Sequence, residues 1–473
     1  MKNMTLQNIA EACGGILYEP EGKREEGDIT EASCVVIDSR KIKPGGVFIA
    51  TKGEKVDGHT FISDVAAKGA LGVVCERRVE DCPIPYILVE DSFKALKDIA
   101  EFYRKQLSVK VVGITGSVGK TSTKEFIAAV LATKFNVLKT IGNFNNEVGL
   151  PLTVLSIRQE HQIAVLEMGI SDFGEMHRLS KIARPDICVI TNIGQCHLEN
   201  LGSREGILKA KSEIFDYMNP EGYVFVNGDD DLLSQMGKKG AHNPIHFGLG
   251  SANEIFASDV MSKGLFGSKA VIHANLKVFP VDIPLPGGHM VLNALAAAGV
   301  GLQLGIGVEE IKQGIVNVET VSGRSHVLSL PAYTLIDDCY NANPASMRAA
   351  IDLLTMALGR KTAILGDMFE LGEGKEQLHG EIGAYAVEKG IDVLICTGTL
   401  SQNMYEQALK RKETLPAGNK MEIYYFRTKD DMMKELSCIL KKKDAVLIKA
   451  SHGMQFDQVV EYLSNNGNQK EAD

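Results

Sequence analysis

Apolar runs, each about as long as a β-strand, dominate the chain from residue 109 onward. They cover residues 109–115, 163–169, 187–194 and 223–229, and turn residues and a helical period follow each one. The runs lack the alternation of a half-exposed strand, which favours strands covered on both faces of a mainly parallel sheet. The Ala- and Leu-rich segment 289–305 predicts a buried helix.

A second block of alternating strands and helices begins near Ser325. Its apolar runs are separated by helical patterns over residues 345–358, 376–389 and 455–464. Alternation of this kind predicts a Rossmann-like, doubly wound sheet.

The first hundred residues mix short strands and turns, with helical patterns only at about 60–69 and 93–106. A length of 473 residues suits about three domains. We therefore predict a three-domain α/β chain. Its parts are a mixed α/β domain over residues 1–107, a central, mainly parallel sheet domain over 108–324 and a Rossmann-like domain over 325–473.

Charge and cysteine usage narrow the function classes. A net charge of −9 without a Lys/Arg-rich block gives no footprint for nucleic acid. We expect neither a signal peptide nor a membrane span, because the start lacks an apolar core and no run of roughly 18 apolar residues occurs. The nine cysteines include no C-x-x-C pair, which favours reduced thiols and a cytoplasmic location.

The stretch "GITGSVGKTS" (residues 113–122) has the composition of a phosphate-binding loop. Gly113, Gly116 and Gly119 allow backbone N–H groups to turn towards phosphate oxygens. Lys120 can neutralise the β- and γ-phosphates, and the Thr121 hydroxyl can bind Mg²⁺. The predicted nucleotide contacts are Thr115, Gly116, Ser117, Val118, Gly119, Lys120, Thr121 and Ser122.

The loop departs from the standard spacing, which places a glycine at the position of Ile114 rather than Gly113. The helix after it has a stripe of apolar residues and directs its positive end at the same anion. A plain glycine-rich turn would not explain a lysine followed by two hydroxyls. We therefore predict a nucleoside triphosphate site.

Three further features are ambiguous when taken singly. Glu167 ends an apolar run, where a carboxylate could bind Mg²⁺, but such a residue is often solvated or a cap. His197 follows another run, and a lone histidine is more often structural. Lys209 and Lys211 lie on a predicted helix, where lysines usually form a solvated face.

The order of the motifs resembles that of the Mur ligase family of ATP-dependent amide-forming enzymes. The matching segments are "TGSVGKTS", "NFNNEVGLP", "EMG", "NIGQCHLENLGS", "AKSEIF" and "GGHMVLNALAA". Residues 38–62 resemble the family's uridine-nucleotide-binding domain. "LIDDCYNANPASMRAAI" and "LGDMFELG" resemble the branch that adds D-alanyl-D-alanine. A neighbouring branch that adds an amino acid would carry a "YAHTP"-type stretch and an Asn-Pro-Arg motif, and here "YNANP" replaces the first and the second is absent.

The resemblance implies a reaction and its cofactors. ATP would convert the carboxylate of UDP-N-acetylmuramoyl-tripeptide to an acyl phosphate, which D-alanyl-D-alanine attacks to give the pentapeptide, ADP and phosphate. The implied cofactors are ATP, Mg²⁺ and a lysine carbamate formed with CO₂. We expect a monomer. The alternatives are another amino-acid-adding Mur ligase, folylpolyglutamate synthetase and, in a different class, a nucleotide-dependent switch or binding protein.

The resemblance also assigns roles to residues. Lys120, Lys211 and His197 would be catalytic, and Mg²⁺ would be held by Thr121, Glu167, His197 and carbamoylated Lys211, with Lys209 the less fitting lysine. Asn293 would contact adenine, and Arg324 and Asp338 would close over ATP. The implied substrate residues are Ser39, Arg40, Asn143, Asn145, Asn146, Tyr340, Asn341 and Asn343.

Two segments complete the resemblance. Asp57, Gly58 and His59 belong to the signature of the N-terminal domain. Near the C-terminus the usual "KGS-R" pattern of the family is "KASHG" here, so that His452 stands where the family has an arginine.

Overall fold

A computed structural model describes residues 1–20, 30–238, 242–416 and 420–467. In these ranges the strands form three sheets of five, nine and six strands, one in each part of the chain. The predicted three-part α/β architecture is therefore confirmed. Within the same ranges, each helix is too short or too polar to cross a lipid bilayer.

The N-terminal sheet has the order β1-β5-β4-β3-β2, with β1 antiparallel to its neighbour and the other pairs parallel. Both predicted helices form, as α2 and α3. The elements are α1 (Leu6–Cys13), β1 (Ile16–Tyr18), β2 (Val35–Val36), β3 (Val47–Ile49), α2 (Ile62–Ala67), β4 (Gly72–Cys75), β5 (Tyr86–Leu88) and α3 (Ser92–Lys105).

Helix α3 joins the first sheet to the central part of the chain. Tyr103 donates its hydroxyl to the carbonyl of Ile157 at 2.7 Å, and Arg104 donates Nε to the carbonyl of Ala183 at 2.8 Å. One hydrophobic core runs from Met4 through α3 into the central sheet. The boundary predicted near residue 107 thus separates two sheets but not two cores, and it stays a prediction.

The central sheet has the order β14-β13-β12-β11-β10-β9-β6-β8-β7. Every pair from β12 to β7 is parallel, as predicted. The elements are β6 (Lys110–Thr115), α4 (Lys120–Ala132), β7 (Val137–Lys139), α5 (Gly149–Leu155), β8 (Ile163–Glu167), α6 (Glu175–Ala183), β9 (Ile187–Ile190), α7 (Leu198–Leu201), α8 (Arg204–Ser212), β10 (Tyr223–Asn227), β11 (Pro244–Gly248), β12 (Ile255–Ser262), β13 (Ser268–Ala274), β14 (Lys277–Ile283), α9 (Gly288–Gln303) and α10 (Val308–Val316).

An antiparallel extension, β12-β13-β14, completes one edge of this sheet. Buried positions alternate with exposed ones along β13 and β14, because only one face of the extension packs on α9 and α10. Helix α9 is the buried helix that the sequence predicts, and it packs against α4 and the edge strands.

The C-terminal sheet has the order β15-β16-β20-β17-β18-β19, with only β15 antiparallel among these strands. A hydrophobic core covers each face, as in a doubly wound fold. The elements are β15 (His326–Ser329), β16 (Tyr333–Asp337), α11 (Pro344–Thr355), β17 (Lys361–Gly366), α12 (Lys375–Glu388), β18 (Val393–Thr397), α13 (Ser401–Glu413), β19 (Glu422–Phe426), α14 (Lys429–Ile439), β20 (Asp444–Lys449) and α15 (Asp457–Gly467).

Candidate active site

The carboxyl ends of parallel strands from the central and C-terminal sheets meet at one cavity of about 700 Å³. Glu167 lies at the end of β8 and Asn227 at the end of β10, while Asp338 follows β16 and Lys449 ends β20. Ligands of doubly wound proteins bind at this edge of the sheet. The cavity is therefore the candidate active site, and it lies between two domains.

The phosphate loop lies on the central-domain wall of the cavity, between β6 and α4. Gly116 has a φ of +148°, and a Cβ there would overlap the hydroxyl of Thr191. The Thr191 hydroxyl donates to the carbonyl of Val118 at 2.6 Å, and Asn192 accepts from the amides of Ser117 (3.0 Å) and Val118 (2.9 Å). The segment after β9 thus fixes the loop before any phosphate binds.

Gly113 lies inside strand β6 and not in the loop. A Cβ on it would lie 2.9 Å from the sulfur of Met168, so a glycine is needed here for packing within the sheet. The turn needs glycine instead at Gly116 and at Gly119, where φ is +86°. The irregular spacing seen in the sequence therefore reflects a glycine that does not belong to the loop.

Lys120 begins helix α4 and folds back over the loop. Its Nζ donates to the carbonyl of Gly116 at 2.7 Å, and burial lowers its pKa, although the nearby Glu167 carboxylate opposes that shift. The first-turn amides of α4 have no acceptor within the helix, so they can bind an anion. The cationic end of Lys120 and these amides fit a polyphosphate.

Glu167 is 1% exposed and has one oxygen without a hydrogen-bond partner among the described residues. Its other oxygen accepts from Asn145 Nδ2 at 2.8 Å. A buried carboxylate oxygen without a donor is costly unless a cation or a ligand satisfies it. Thr121 and His197 line the same cavity, and the oxygens of Glu167 and Thr121 are of the kind that Mg²⁺ prefers. Among the described residues no group of three or more His, Cys, Asp or Glu side chains is in place to hold a metal ion, so Mg²⁺ would here need further ligands such as phosphate oxygens of a nucleotide.

Lys211 is 1% exposed, and its side chain makes no hydrogen bond or ion pair with another described residue. Burial lowers its pKa from 10.5 to about 8, and the ammonium of Lys120 adds to the effect. Lys209, in contrast, is exposed, with Nζ 5.9 Å from the centre of the Phe173 ring. Of the two lysines on α8, Lys211 is the one in an environment that favours a neutral amine.

His197 lies at the start of α7 in the left-handed conformation, with φ +52°. Its Nδ1 is 2.6 Å from Oε2 of Glu370, which belongs to the C-terminal domain. The hydrogen bond from His197 lowers the pKa of Glu370. Sequence reasoning identified His197 but not its partner, because "LGDMFELG" contains no signal for a contact across domains.

The linker between the two domains is attached to the end of β16. Asp337 accepts from the amide of Gly323 at 2.7 Å and from the hydroxyl of Ser322 at 3.1 Å. Asp338 accepts from the amide of Ser325 at 2.9 Å. Two consecutive carboxylates therefore fix the backbone on both sides of residue 324.

Arg324 faces the cavity, and its guanidinium lies 3.9 Å from the centre of the Tyr340 ring. The centre of the His452 ring lies 5.3 Å from the centre of the Tyr340 ring, and His452 also lines the cavity. The stacked guanidinium is a cation presented opposite the phosphate loop.

Lys449 is a buried cation on this wall that the sequence did not single out as a site residue. Its Nζ donates to Asp338 Oδ2 at 2.7 Å and to the carbonyl of Asn341 at 2.8 Å. The ion pair holds the loop after β16 against the end of β20. Its position at the end of a central strand is the signal that could have predicted it.

Asn293, on α9, borders the cavity beside the loop, and its Oδ1 accepts from Thr123 at 2.8 Å. Phe247, Asn227 and His289 line the same region, and burial lowers the pKa of His289. These three were not predicted, although two of them come at strand ends. An apolar ring beside amide groups suits a nucleobase.

The segment "NFNN" forms another part of the cavity wall. Asn143 is exposed there, Asn145 binds Glu167, and Asn146 accepts from the amide of Gly149 at the start of α5. On the opposite wall, Asn343 is the N-cap of α11, accepting from Ser346 N at 2.9 Å. Asn146 and Asn343 therefore have structural roles in addition to any contact with substrate.

Ser39 and Arg40 do not line this cavity. Arg40 is exposed and binds Asp38, which lowers the pKa of that carboxyl to about 2. Lys41, the next residue, has Nζ 5.9 Å from the ring centre of Phe144 in the "NFNN" segment. Through Lys41, this part of the N-terminal domain therefore lies beside the "NFNN" segment of the cavity wall.

Asp57, Gly58 and His59 form a local structural unit. Asp57 accepts from the amide and Nδ1 of His59, and His59 Nε2 accepts from the amide of Glu76 at 3.0 Å. A Cβ on Gly58 would lie 2.8 Å from the carbonyl oxygen of Thr51. The signature therefore stabilises the N-terminal domain, at a distance from the cavity lining.

The chain matches three domain families over most of its length. "Mur ligase family, catalytic domain" matches residues 31–104, "Mur ligase middle domain" matches 114–301, and "Mur ligase, glutamate ligase domain" matches 323–452.

Full-length relatives agree with these matches. The UDP-N-acetylmuramoyl-tripeptide--D-alanyl-D-alanine ligase of Bacillus subtilis is 38% identical, over 98% of this chain and 99% of the relative. A crystal structure of MurF from Acinetobacter baumannii aligns with a TM-score of 0.86 at 31% identity, covering 98% of this chain and 99% of that one. The MurF ligase from Thermotoga maritima in complex with ADP aligns with a TM-score of 0.78 at 31% identity, covering 91% and 97%.

Proposed function

The chain belongs to the Mur ligase family, and we propose that it is the ATP-dependent ligase that adds D-alanyl-D-alanine to UDP-N-acetylmuramoyl-tripeptide. The products are UDP-N-acetylmuramoyl-pentapeptide, ADP and phosphate, in the synthesis of peptidoglycan precursors. One observation carries the proposal. A phosphate loop and a buried carboxylate with one unpartnered oxygen face Arg324, in the linker fixed to β16, and Asp338 of the C-terminal domain across one cavity.

The reaction needs ATP because a carboxylate and an amine do not condense spontaneously in water. Transfer of the γ-phosphoryl group to the peptide carboxylate gives an acyl phosphate, whose leaving group is phosphate. The transfer brings two anions together, so catalysis requires positioning and neutralisation of charge.

The chain offers two cations for this purpose. Lys120 and the loop amides can bind the β- and γ-phosphate oxygens from the central domain. Arg324 can approach the same phosphates from the C-terminal domain, already oriented by Tyr340. A site divided in this way is complete only when both domains meet at the nucleotide.

Thr121, Glu167 and His197, together with carbamoylated Lys211, would hold Mg²⁺. When bound, Mg²⁺ would supply positive charge that offsets the negative charge of the phosphate groups. To form the carbamate, the neutral amine of Lys211 bonds to the carbon of CO₂ and releases one proton. The buried setting that lowers its pKa to about 8 supports this step, and the product is an anionic oxygen ligand beside Lys120.

In the second half of the reaction, the deprotonated amine of D-alanyl-D-alanine attacks the carbonyl carbon of the acyl phosphate. The C–N bond forms, the bond to the phosphate oxygen breaks, and the nitrogen loses a proton. The "NFNN" asparagines and Tyr340, Asn341 and Asn343 are the proposed contacts of the two peptide substrates, and they line facing walls of the cavity. Ser39 and Arg40 are the proposed contacts of the uridine nucleotide.

We further propose that the enzyme acts as a monomer in the cytoplasm. The active-site cavity is formed by domains of one chain. All nine cysteines are free thiols, five of them buried, which suits a reducing compartment.

Amine-dependent phosphate release tests the proposed function. With ATP and UDP-N-acetylmuramoyl-tripeptide, we expect phosphate release to require D-alanyl-D-alanine, and not to respond to D-glutamate or diaminopimelate. Oxygen-18 placed in the peptide carboxylate should appear in the released phosphate. Lys120→Ala should lose detectable activity while keeping the circular dichroism spectrum of the wild type.

Each alternative predicts a different result. A ligase of an amino-acid-adding branch would release phosphate with a free amino acid, and a nucleotide switch would hydrolyse ATP slowly at a rate independent of any amine. Absence of the labelled oxygen from the phosphate would rule out the acyl phosphate.

A further inference from the structure

The loop after β17 reaches from the C-terminal domain to the segment that contains His197. Glu370 Oε2 lies 2.6 Å from His197 Nδ1, and a Cβ on Gly372 would lie 3.6 Å from the backbone nitrogen of Glu199. Among the described residues, Glu370 is the acidic residue whose carboxylate contacts the His197 ring. The contact joins two domains at a residue proposed to bind Mg²⁺.

Glu370 is held in place by its own domain. The amide of Phe369 donates to Ser451 Oγ at 2.8 Å, and the amide of Met368 donates to His379 Nε2 at 2.8 Å. Glu370 itself has φ +61°, a strained conformation for a residue with a side chain. The hydrogen bonds of Met368 and Phe369 fix the backbone before Glu370, and Glu370 keeps a strained φ. This combination is typical of a side chain that must point in one direction.

His197 is presented in a similar way. It also has a positive φ, +52°, and its carbonyl accepts from the amides of Asn200 and Leu201. Its side chain is 23% exposed and that of Glu370 is 58% exposed. A surface pair of this kind contributes little to stability, so stability does not explain two strained residues in contact.

We propose that Glu370 is a positioning residue, which orients the imidazole of His197 for the reaction. The carboxylate accepts a hydrogen bond from Nδ1–H, which leaves Nε2 as the nitrogen available to the cavity. Histidines that bind metal ions commonly donate their second nitrogen to a carboxylate in this way. The inference rests on the proposed ligase function, and it adds that the C-terminal domain contributes to the central metal site as well as to the nucleotide.

The test compares Glu370→Ala and Glu370→Gln with a matched control, Glu373→Ala. Glu373 is exposed in the same loop and makes no hydrogen bond or ion pair with a described residue. We expect Glu370→Ala to lower kcat about 10- to 100-fold, the usual effect of losing such a partner, and to raise the Mg²⁺ concentration for half-maximal activity. Glu370→Gln should lose less, because its amide oxygen can accept the same hydrogen bond from Nδ1–H. Glu373→Ala should match the wild type.

A second readout does not depend on activity. In ¹⁵N-histidine NMR spectra of the protein without ligands, the His197 signals are assigned by their absence from His197→Gln. We expect the proton on Nδ1 in the wild type and Glu373→Ala, and a mixture of tautomers in Glu370→Ala. A purely structural contact would change thermal stability without changing the tautomer or the Mg²⁺ requirement.

Equal kcat and Mg²⁺ requirement in Glu370→Ala and Glu373→Ala, or an unchanged His197 tautomer, overturns the inference. If Glu370→Ala does not fold, Glu370→Gly decides by the same two measurements, because glycine suits the φ of +61° and likewise offers no acceptor to His197. A wild type without amine-dependent phosphate release contradicts the ligase function instead, and the histidine spectra still decide whether Glu370 orients His197.

Discussion

Glu167 and Lys211 are buried ionisable residues, and each has a side-chain polar atom without a hydrogen-bond partner among the described residues. Glu167 has an oxygen that no described donor reaches, and the side chain of Lys211 makes neither a hydrogen bond nor an ion pair with a described residue. Burial of such groups opposes folding, so their retention points to use in the site. Replacing one of these residues therefore measures how much its burial lowers the free energy of unfolding.

We predict that Lys211→Met abolishes ligase activity and stabilises the fold. Below about pH 8 the folded protein must keep a buried ammonium, at a cost on the order of 3 kcal/mol for the shift from 10.5 to about 8. Between those two pKa values the unfolded chain binds more protons than the folded one. The free energy of unfolding of the wild type therefore rises with pH in that window.

Urea unfolding in CO₂-free buffer at several pH values measures this effect. The advantage of Lys211→Met should be largest at pH 7 and should shrink as the pH rises from about 8 towards 10.5. Lys209→Met, on the exposed side of α8, is the control and should show neither the gain nor the pH dependence. A Lys211→Met variant less stable than the wild type at pH 7 would contradict the argument.

The sequence predicts the chemistry of individual residues better than their partners. The phosphate loop is recognisable because its residue types follow each other directly in the chain, before a helix. The pairing of His197 with Glu370 and the burial of Lys211 beside Lys120 depend on how distant segments pack. No local pattern encodes those contacts.

Secondary-structure elements position the site through their ends. Asn343 precedes helix α11, its side chain caps the first turn of that helix, and it also lines the cavity. The Ser346 hydroxyl accepts in return from the amide of Asn343, which completes a capping box. One asparagine can therefore affect both the stability of the helix and the binding of substrate.

Two substitutions of Asn343 separate these roles. Asn343→Ala should lower the free energy of unfolding by about 1 kcal/mol, because the amide of Ser346 loses its acceptor. Asn343→Ser keeps a good cap and should be close to the wild type in stability. If the side-chain amide contacts D-alanyl-D-alanine, Asn343→Ser should still raise the KM for that dipeptide.

Thermal unfolding and steady-state kinetics of the two variants give the answer. Equal losses of stability in Asn343→Ala and Asn343→Ser would contradict the capping argument. An unchanged KM in Asn343→Ser would leave Asn343 with a structural role only.

Elements covered on both faces were predictable, and the edge of the central sheet was not. Strands such as β8 and β9 are continuous apolar runs because helices cover both of their faces. Strands β13 and β14 alternate instead, and their short alternating pattern was not recognised. The periodicity was present in the sequence, but it is a weaker signal than a continuous apolar run.

At the scale of the molecule, the linker determines which parts move together. Asp337 and Asp338 fix Ser322, Gly323 and Ser325 to the end of β16. Helix α10 packs Ile311 and Ile315 into the core of the central domain and ends at Val316, and Glu319 and Thr320, which follow it, are exposed. We infer that domain rotation occurs at residues 319–321.

Limited proteolysis tests the position of this hinge. We expect Glu-C protease to cleave after Glu319 faster than trypsin cleaves after Arg324, because a fixed backbone resists cleavage. Asp337→Ala should accelerate cleavage after Arg324, since it removes the oxygen that accepts from both Ser322 and Gly323, and should leave cleavage after Glu319 unchanged. Faster cleavage at Arg324 in the wild type would place the hinge elsewhere.

The attached linker also matters for anyone who recombines this chain with its relatives. A chimera joined between Arg324 and Ser325 would separate the arginine from the two aspartates that fix its backbone, and the graft would inherit a loosely held guanidinium. A junction upstream of Ser322 transfers the arginine, its stacking tyrosine and both carboxylates as one unit. The best junction for exchanging the third domain therefore lies a few residues before its sheet begins.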